Sequence, residues 1–238
     1  MNRHKVTVFR SIIDIDTPFH RDVTVVLDRI KNGSSKELVS KIRKEKDKTE
    51  RNNLKKNLPS ICFSGEFTKR KDDALINHSG LLCIDLDDYA TNKKMVEAKD
   101  ELAKRKYTYS VFVSPSGNGL KLLVKVPAEV ENHKSYFNSL EKYVNSEHFD
   151  PTSKNVSRVC YESYDPNIYI NEKSEVWDRI DKEEHADIVK SSVDVTIPIT
   201  DENKILDILV RWWTKKYPMS EGNRNENAYI LAAALNDF

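Results

Sequence analysis

Residues 109–126 constrain the fold more than any other stretch of the chain. Tyr109 to Ser114 reads as a strand, and Leu120, Leu122, Val124 and Val126 then recur at every second position. That period belongs to a half-buried strand. Between the two runs lies Ser114-Pro-Ser-Gly-Asn-Gly-Leu-Lys121, rich in turn formers, which marks a hairpin with glycines at 117 and 119. A hairpin pairs its strands antiparallel, and elsewhere strand-like and helix-like runs interleave without a strict β-α-β repeat. The fold class that follows is α+β rather than a doubly wound parallel sheet. Lys121 falls on the face opposite the apolar set, free to point at a ligand.

A second strand carries the most pointed chemistry. Residues 81–89 read Leu-Leu-Cys-Ile-Asp-Leu-Asp-Asp-Tyr. Four apolar residues in succession suit a strand buried on both faces. Strand side chains alternate, so Asp85 and Asp87 share a face while Ile84 and Leu86 point the other way. Paired carboxylates at a strand end repel unless a cation or proton sits between them, and an all-oxygen donor set suits Mg²⁺ or Mn²⁺. The alternative is a strand running into a polar turn with the acids merely solvated. Asp88 points away from both and reads as a bystander.

Composition narrows the class. Of 238 residues, 38% are hydrophobic and 32% charged, as expected of a soluble, cytoplasmic protein with charged helices. No apolar run approaches the roughly 20 residues that span a bilayer, so no membrane partner is expected. Cys62, Cys83 and Cys160 each lie in a strand-like run without a CxxC, which reads as reduced core cysteines. The six histidines lack HxH or HExxH spacing, so no zinc is expected. The net charge is only +1 because a basic block cancels an acidic one. Lys36 to Lys56 holds nine Lys/Arg against four Asp/Glu, and residues 172–202 hold ten acids against four bases. The basic block is either a solvated helix face or a track for a nucleic-acid backbone. Lys44, Lys48 and Lys55 within it, with Lys69, Arg70 and Lys71 in a polar loop and Arg224 near the end, are the candidate nucleic-acid contacts.

Other elements follow from local signals. His4 to Ile13 alternates like a strand. Thr17-Pro18 predicts an N-cap with proline at the first helical position, followed by the stripe Val23, Val26, Leu27 and Ile30 and a stop at Asn32-Gly33. Ser34 with Glu37 predicts a capping box for a helix bearing Leu38, Val39 and Ile42. Pro59 to Gly65 reads as a short strand, Asn92 to Lys106 as a helix, and Tyr136 to Val144 as another. Ser157 to Tyr161 reads as a strand with Arg158 and Cys160 on one face, and Ile168 to Ile170 as a short one. Residues 172–200 are weakly patterned and read largely as linker. The division expected is a catalytic domain over 1–185, a linker over 186–200, and a helical segment over 201–238. The last helical pattern stops at Phe238 without a C-cap, so the chain is expected to be part of something longer.

Three features converge: acids at a strand end, a glycine-rich hairpin bearing a cation, and Asp150 after a helix. Nucleotidyl transfer needs carboxylates that hold two cations, and backbone amides and cations around a triphosphate. The order of these motifs resembles the archaeo-eukaryotic primase superfamily, the primase-polymerases. His78 to Asp87, Ser114 to Lys121, and Asp150-Pro-Thr-Ser-Lys-Asn-Val-Ser-Arg158 look like a bacterial branch, the primase-like N-terminal domain of virulence-associated E-type proteins of mobile elements and phages. Gly222-Asn-Arg-Asn225 and the run after it resemble the small helical domain that often follows. The resemblance implies an RRM-like sheet beside an N-terminal α/β unit, and template-directed DNA priming or polymerisation from nucleoside triphosphates. It makes Asp85, Asp87 and Asp150 the ligands of two Mg²⁺ or Mn²⁺ ions, and Ser114, Ser116, Gly117, Asn118, Gly119, Lys121 and Arg158 the nucleotide-binding set. The implied partners are a single-stranded or primed DNA template and a helicase domain or subunit. In the superfamily the second motif usually ends in histidine, and this chain has Lys121.

Two other readings stand beside it. One is a replication initiator or single-stranded DNA-binding module that keeps the fold without catalysis. The other is a haloacid-dehalogenase-type phosphatase, which also uses a strand-end DxD. There a Thr or Val is usual two residues after the second acid, whereas Asp88 and Tyr89 follow Asp87 here.

Overall fold

The computed structural model describes residues 4–180. In chain order the elements are β1 (Lys5–Phe9), β2 (Phe19–Asp22), α1 (Val23–Asn32), α2 (Lys36–Lys44), α3 (Lys48–Lys55), β3 (Ser60–Cys62), β4 (Gly65–Phe67), β5 (Leu75–His78) and β6 (Leu81–Leu86). They continue with α4 (Asn92–Ala103), β7 (Thr108–Val113), β8 (Leu120–Lys125), α5 (His133–Val144), β9 (Cys160–Tyr161) and β10 (Tyr169–Ile170). The expected linker over 186–200, the helical segment over 201–238 and Arg224 lie outside the described residues.

Among the described residues two four-stranded sheets form, ordered β2-β1-β3-β9 and β10-β7-β8-β6, with β4-β5 as a separate hairpin. The named strands all pair antiparallel, and one isolated parallel bridge joins Lys125 at the end of β8 to Val176. This is the α+β architecture expected from the hairpin, and β7 and β8 are its two arms. The parallel sheet that a dehalogenase-type phosphatase needs around its DxD is not what surrounds β6.

The apolar run of β6 is explained by layers on both sides. Leu82, Ile84 and Leu86 join Val111, Leu122 and Val124 under Met95 and Leu102 of α4 and Phe137 and Leu140 of α5. Leu81 faces the other way, into a core with Val6, Ile61, Phe63, Phe112 and Leu123 beneath α1. Each such aliphatic side chain contributes about 1.5–3 kcal/mol when fully buried. The stripe Val23, Val26, Leu27 and Ile30 is buried against this second core, and Gly33 ends α1 in the left-handed region at φ 86°.

Four local expectations are corrected. The Thr17-Pro18 cap does not start α1, because Phe19–Asp22 pairs instead with β1 over four register positions. Satisfying that backbone edge outweighs a cap worth about 1 kcal/mol. The Ser34–Glu37 capping box does not form either. Helix α2 begins at Lys36, and the Ser35 hydroxyl donates to Glu162, a carboxylate only 1% exposed that also takes Arg29 Nε at 2.6 Å and Nη2 at 3.1 Å. A buried carboxylate without donors costs more than an open helix end. The first strand stops at Phe9, since the Ser11 hydroxyl accepts the amides of Ile13 and Asp14 and turns the chain. Ser157 lies instead in a turn, its amide donating to Asp72 Oδ1 at 2.9 Å, and residues 158–159 are irregular, so only Cys160–Tyr161 joins the ladder.

The start of the acidic stretch is not linker. Trp177 is 3% exposed, its amide donates to the Lys125 carbonyl, and its indole N–H donates to Ser139 Oγ at 2.7 Å. An indole can bury about 150–250 Å², which outweighs the polar residues around it. Among the described residues no helix is long and apolar enough to cross a membrane.

Candidate active site

Strand β6 and the segment after α5 build the acid cluster together. Helix α5 ends on Asn145, left-handed at φ 47°, which turns the chain back toward β6. Phe149 packs on Phe137 at 5.1 Å and forms a bridge with Leu86. On either side of that bridge, the Asp87 amide donates to the His148 carbonyl at 2.8 Å and the Asp150 amide to the Asp85 carbonyl at 2.9 Å. This short antiparallel extension carries Asp150 to the acids of β6. One carboxylate oxygen from each of Asp85, Asp87 and Asp150 lies within 4.8 Å of the others, a group able to hold a metal ion. Three hard oxygen donors fit Mg²⁺ or Mn²⁺ better than a softer metal.

The three acids differ electrostatically. Asp150 accepts the Thr152 amide at 2.9 Å, the Thr152 and Ser153 hydroxyls at 2.7 Å each, and Arg158 Nη2 at 3.1 Å. Burial alone would raise its pKa, but these donors hold it below the usual carboxylate range. Asp87 is pushed upward by burial and by Asp85, Asp150 and Asp88, against the opposing pull of Lys121. A second cation in this cluster would relieve that repulsion.

Lys121 does not stand free. It lies opposite Asp85 in the β6–β8 register, and its Nζ is 2.8 Å from Asp85 Oδ1 and 3.8 Å from Asp87 Oδ1. Cross-strand neighbours on one face meet this closely as a rule. Burial tends to discharge Lys121, yet the two acids outweigh it and raise its pKa. The lysine is the acids' own counter-ion, and the expectation of a side chain free to reach a ligand is corrected. Beneath it on the same face, the Cys83 thiol is held protonated by its contact with Cys160 and by burial, and all three cysteines are free thiols.

The glycine-rich turn serves the protein before any ligand. A Cβ at Gly119 would stand 2.8 Å from both Asp87 Oδ1 and the Leu86 carbonyl, so only glycine lets the turn lie against the DxD. Gly117 needs a positive φ of 79° and carries the Arg43 side chain over it. Arg43 Nη2 donates to the Ser114 carbonyl at 3.1 Å and to the Tyr164 carbonyl at 2.9 Å, clamping the turn from α2. The Asn118 carbonyl accepts the Tyr89 amide at 3.0 Å, and its side chain meets Asp88 at 3.4 Å. Asp88, at φ 60°, is therefore a joint between turn and strand, and it stands outside the acid group that could hold a metal.

Asp87 also lies on the boundary of two concavities. One of about 320 Å³ is lined by Asp85, Asp87, Ser114, Ser116, Lys121 and Arg158, with Lys55 at its rim and Ile12 and Tyr161 on its apolar wall. The other, about 440 Å³, is acidic, with Asp87, Asp88, Glu147 and Asp150 around His148. His148 stacks on Tyr89 at 3.9 Å, and its Nδ1 sits 2.9 Å from the Asp87 carbonyl. Arg43, His148 and Lys55 are the positions that motif reading missed or misplaced, since only the tertiary contacts bring them to the DxD. Lys44 instead lines a groove between α2 and α3 with Glu45 and Glu50. Lys48 lies on the exposed side of α3. Lys71 pairs with Asp73, and the Arg70 amide donates to the Ile15 carbonyl while Lys69 stays in the same polar loop.

The site thus sets an acid triad beside a glycine turn on an antiparallel α+β core. Residues 53–170 match the family model described as the BT4734-like N-terminal domain. The match spans β6, the hairpin and the Asp150–Arg158 segment. No curated protein matches the chain. Among solved structures, the AEP domain of the cyanophage S-2L primase-polymerase is 13% identical, with a TM-score of 0.39 over 74% of this chain and 85% of that one. The catalytic domain of primase Repb', solved with initiator DNA, is 13% identical, with a TM-score of 0.34 over 74% of this chain and 80% of that one.

Proposed function

We propose that this chain is a nucleotidyltransferase of the primase-polymerase type, extending or starting a strand on a DNA template in the replication of a mobile element or phage. The observation that carries the reading is the charge contrast across the acid triad. The concavity on one side of Asp87 bears cations and suits a triphosphate, while the concavity on the other side is acidic. The residues that would hold Mg²⁺ or Mn²⁺ are Asp85, Asp87 and Asp150. When bound, such ions supply charge stabilisation to an attacking hydroxyl oxygen and to the departing pyrophosphate. The protein's own groups do the rest. Arg158 orients Asp150 and places positive charge at the cavity, Ser116 offers a hydroxyl on its wall, and the Arg43 clamp keeps the Ser114–Gly119 turn in place. A single-stranded or primed template and a helicase partner belong to the same reading.

One observation favours the non-catalytic alternative. Lys121 already neutralises Asp85 at 2.8 Å, as it would in a DNA-binding module that had given up its metal. Extension of a primed template with Mg²⁺ or Mn²⁺, run beside Asp85→Ala/Asp87→Ala, separates the two. The catalytic reading expects product from wild type and none from the double variant. If both are inert yet both bind single strands, the non-catalytic reading stands.

A further inference from the structure

We propose that Lys55, in the last turn of α3, is the cation that meets the phosphate tail of the incoming nucleoside triphosphate, a role that Lys121 in the glycine-turn motif does not fill. The proposal rests on the nucleotidyltransferase reading and adds a residue from outside the acid, glycine and Asp150 motifs.

A polyphosphate needs positive groups with N–H donors to spare. Three cations border the cavity beside the triad: Lys121, Arg158 and Lys55. Lys121 is 8% exposed and spends its charge on Asp85 at 2.8 Å and Asp87 at 3.8 Å. Arg158 is committed to Asp150 at 3.1 Å, with Asp85 a further 3.9 Å contact. Lys55 differs from both. Among the described residues its ammonium makes no hydrogen bond and no ion pair, while its carbonyl accepts the Leu58 amide at 3.0 Å. Its ammonium is nonetheless half-buried and near enough to Asp87, Asp88, Arg51 and Lys121 to feel their charges.

The placement follows from packing. Asp47 caps α3 by accepting the Glu50 amide at 2.7 Å. Leu54 then packs against Val39, Ile42 and Leu58, which sets the rotation of the helix about its axis. With Leu54 fixed inward, the next residue is turned toward the triad, and Arg51 lies one turn behind it. The charges of Arg51 and Lys121 press on the Lys55 ammonium against the pull of Asp87 and Asp88, and a polyanion in the cavity would relieve that repulsion. The lysine stem lets the ammonium follow a phosphate as a point charge, without the fixed fork an arginine would impose.

The test measures binding rather than turnover, on the full chain. Wild type, Lys55→Met and Lys55→Arg are titrated calorimetrically with a nucleoside triphosphate carrying a methylene α,β-bridge, and separately with inorganic tripolyphosphate, both with Mg²⁺. Mn²⁺ affinity is followed by electron paramagnetic resonance, and Lys93→Met serves as an exposed-surface control. Lys55→Met keeps the aliphatic stem, and Lys55→Arg keeps the charge should the first variant pack differently. The expected result is a loss of about tenfold or more in affinity for both polyphosphates in Lys55→Met. Lys55→Arg should recover most of it, with Mn²⁺ affinity weakened in neither and Lys93→Met like wild type. Wild-type tripolyphosphate binding by Lys55→Met overturns the assignment of Lys55. Wild type that binds neither polyphosphate overturns the nucleotidyltransferase reading itself, a distinct outcome.

Discussion

Replacing Lys121 by methionine removes a charge from the centre of the acid cluster while keeping most of the side chain's volume. Asp85 is 7% exposed and Lys121 8%, and their contact is 2.8 Å. Deleting one partner of a buried ion pair costs about 3–5 kcal/mol, mainly because the other charge is left unpaired. Here Arg158 remains 3.9 Å from Asp85 and the side chain of Asp87 is 49% exposed, so the lower end, about 3 kcal/mol, is expected. For a domain of this size that is roughly 6–12 °C in Tm. A divalent cation bound by the three acids restores the missing charge. Scanning calorimetry should therefore find Lys121→Met well below wild type in chelator and with about half of that gap closed in saturating Mn²⁺. Mn²⁺ should also bind the variant more tightly, since no ammonium has to be displaced, by about tenfold if 1.4 kcal/mol of the pairing is recovered. A variant that melts like wild type in chelator, or shows the same Mn²⁺-induced shift, would refute the counter-ion role.

Two further outcomes follow from the same geometry. Gly119→Ala places a methyl 2.8 Å from Asp87 Oδ1 and the Leu86 carbonyl, so the turn or the DxD must shift. Stability should fall by about 1–3 kcal/mol, and Mn²⁺ affinity should fall with it; a metal titration unchanged from wild type would show that the turn relaxes away from the acids. His133, 3% exposed, is driven down to about 4 by burial and by His78, whose Nε2 lies 3.0 Å from its Nδ1. Asp72 opposes that shift and Lys134 adds to it. The unfolded chain takes up this proton near the usual 6.5 and the fold does not. The contribution is thus whole above about pH 6.5 and is lost as pH falls toward 4, up to about 3 kcal/mol from the 1.36 kcal/mol per unit relation. Urea unfolding from pH 7 to 4.5 should show this slope in wild type and a flatter one in His133→Asn; parallel slopes would count against it.

Periodic signals in the chain carried a good deal of the architecture. The alternation at Leu120, Leu122 and Val124, the stripe Val23–Ile30, and the unbroken apolar run Leu81–Ile84 each correspond to an element in the expected place. They are legible because burial periodicity is a property of the element itself. Caps and strand ends were less so. Ser35 answers Glu162 across 127 positions of sequence, and Phe19–Asp22 answers β1, so the local optimum at each place gave way to a distant partner. Trp177 shows the same thing from the other side: an acidic, unpatterned context hid an anchor whose partners are Ser139 and Lys125.

The candidate site divides along the same line. That Asp85 and Asp87 share a face is a consequence of strand alternation, and the turn at Gly117 and Gly119 follows from residue type; both could be read from the chain alone. Tertiary structure decided the rest. A bridge between Leu86 and Phe149 brings Asp150 to the pair, and the register of β8 sets Lys121 across from Asp85. The packing of Leu54 turns Lys55 toward the cavity. Side-chain type and spacing tell which charges a chain owns. Which of them are spent on one another, and which remain for a ligand, depends on distances across the fold that only packing sets.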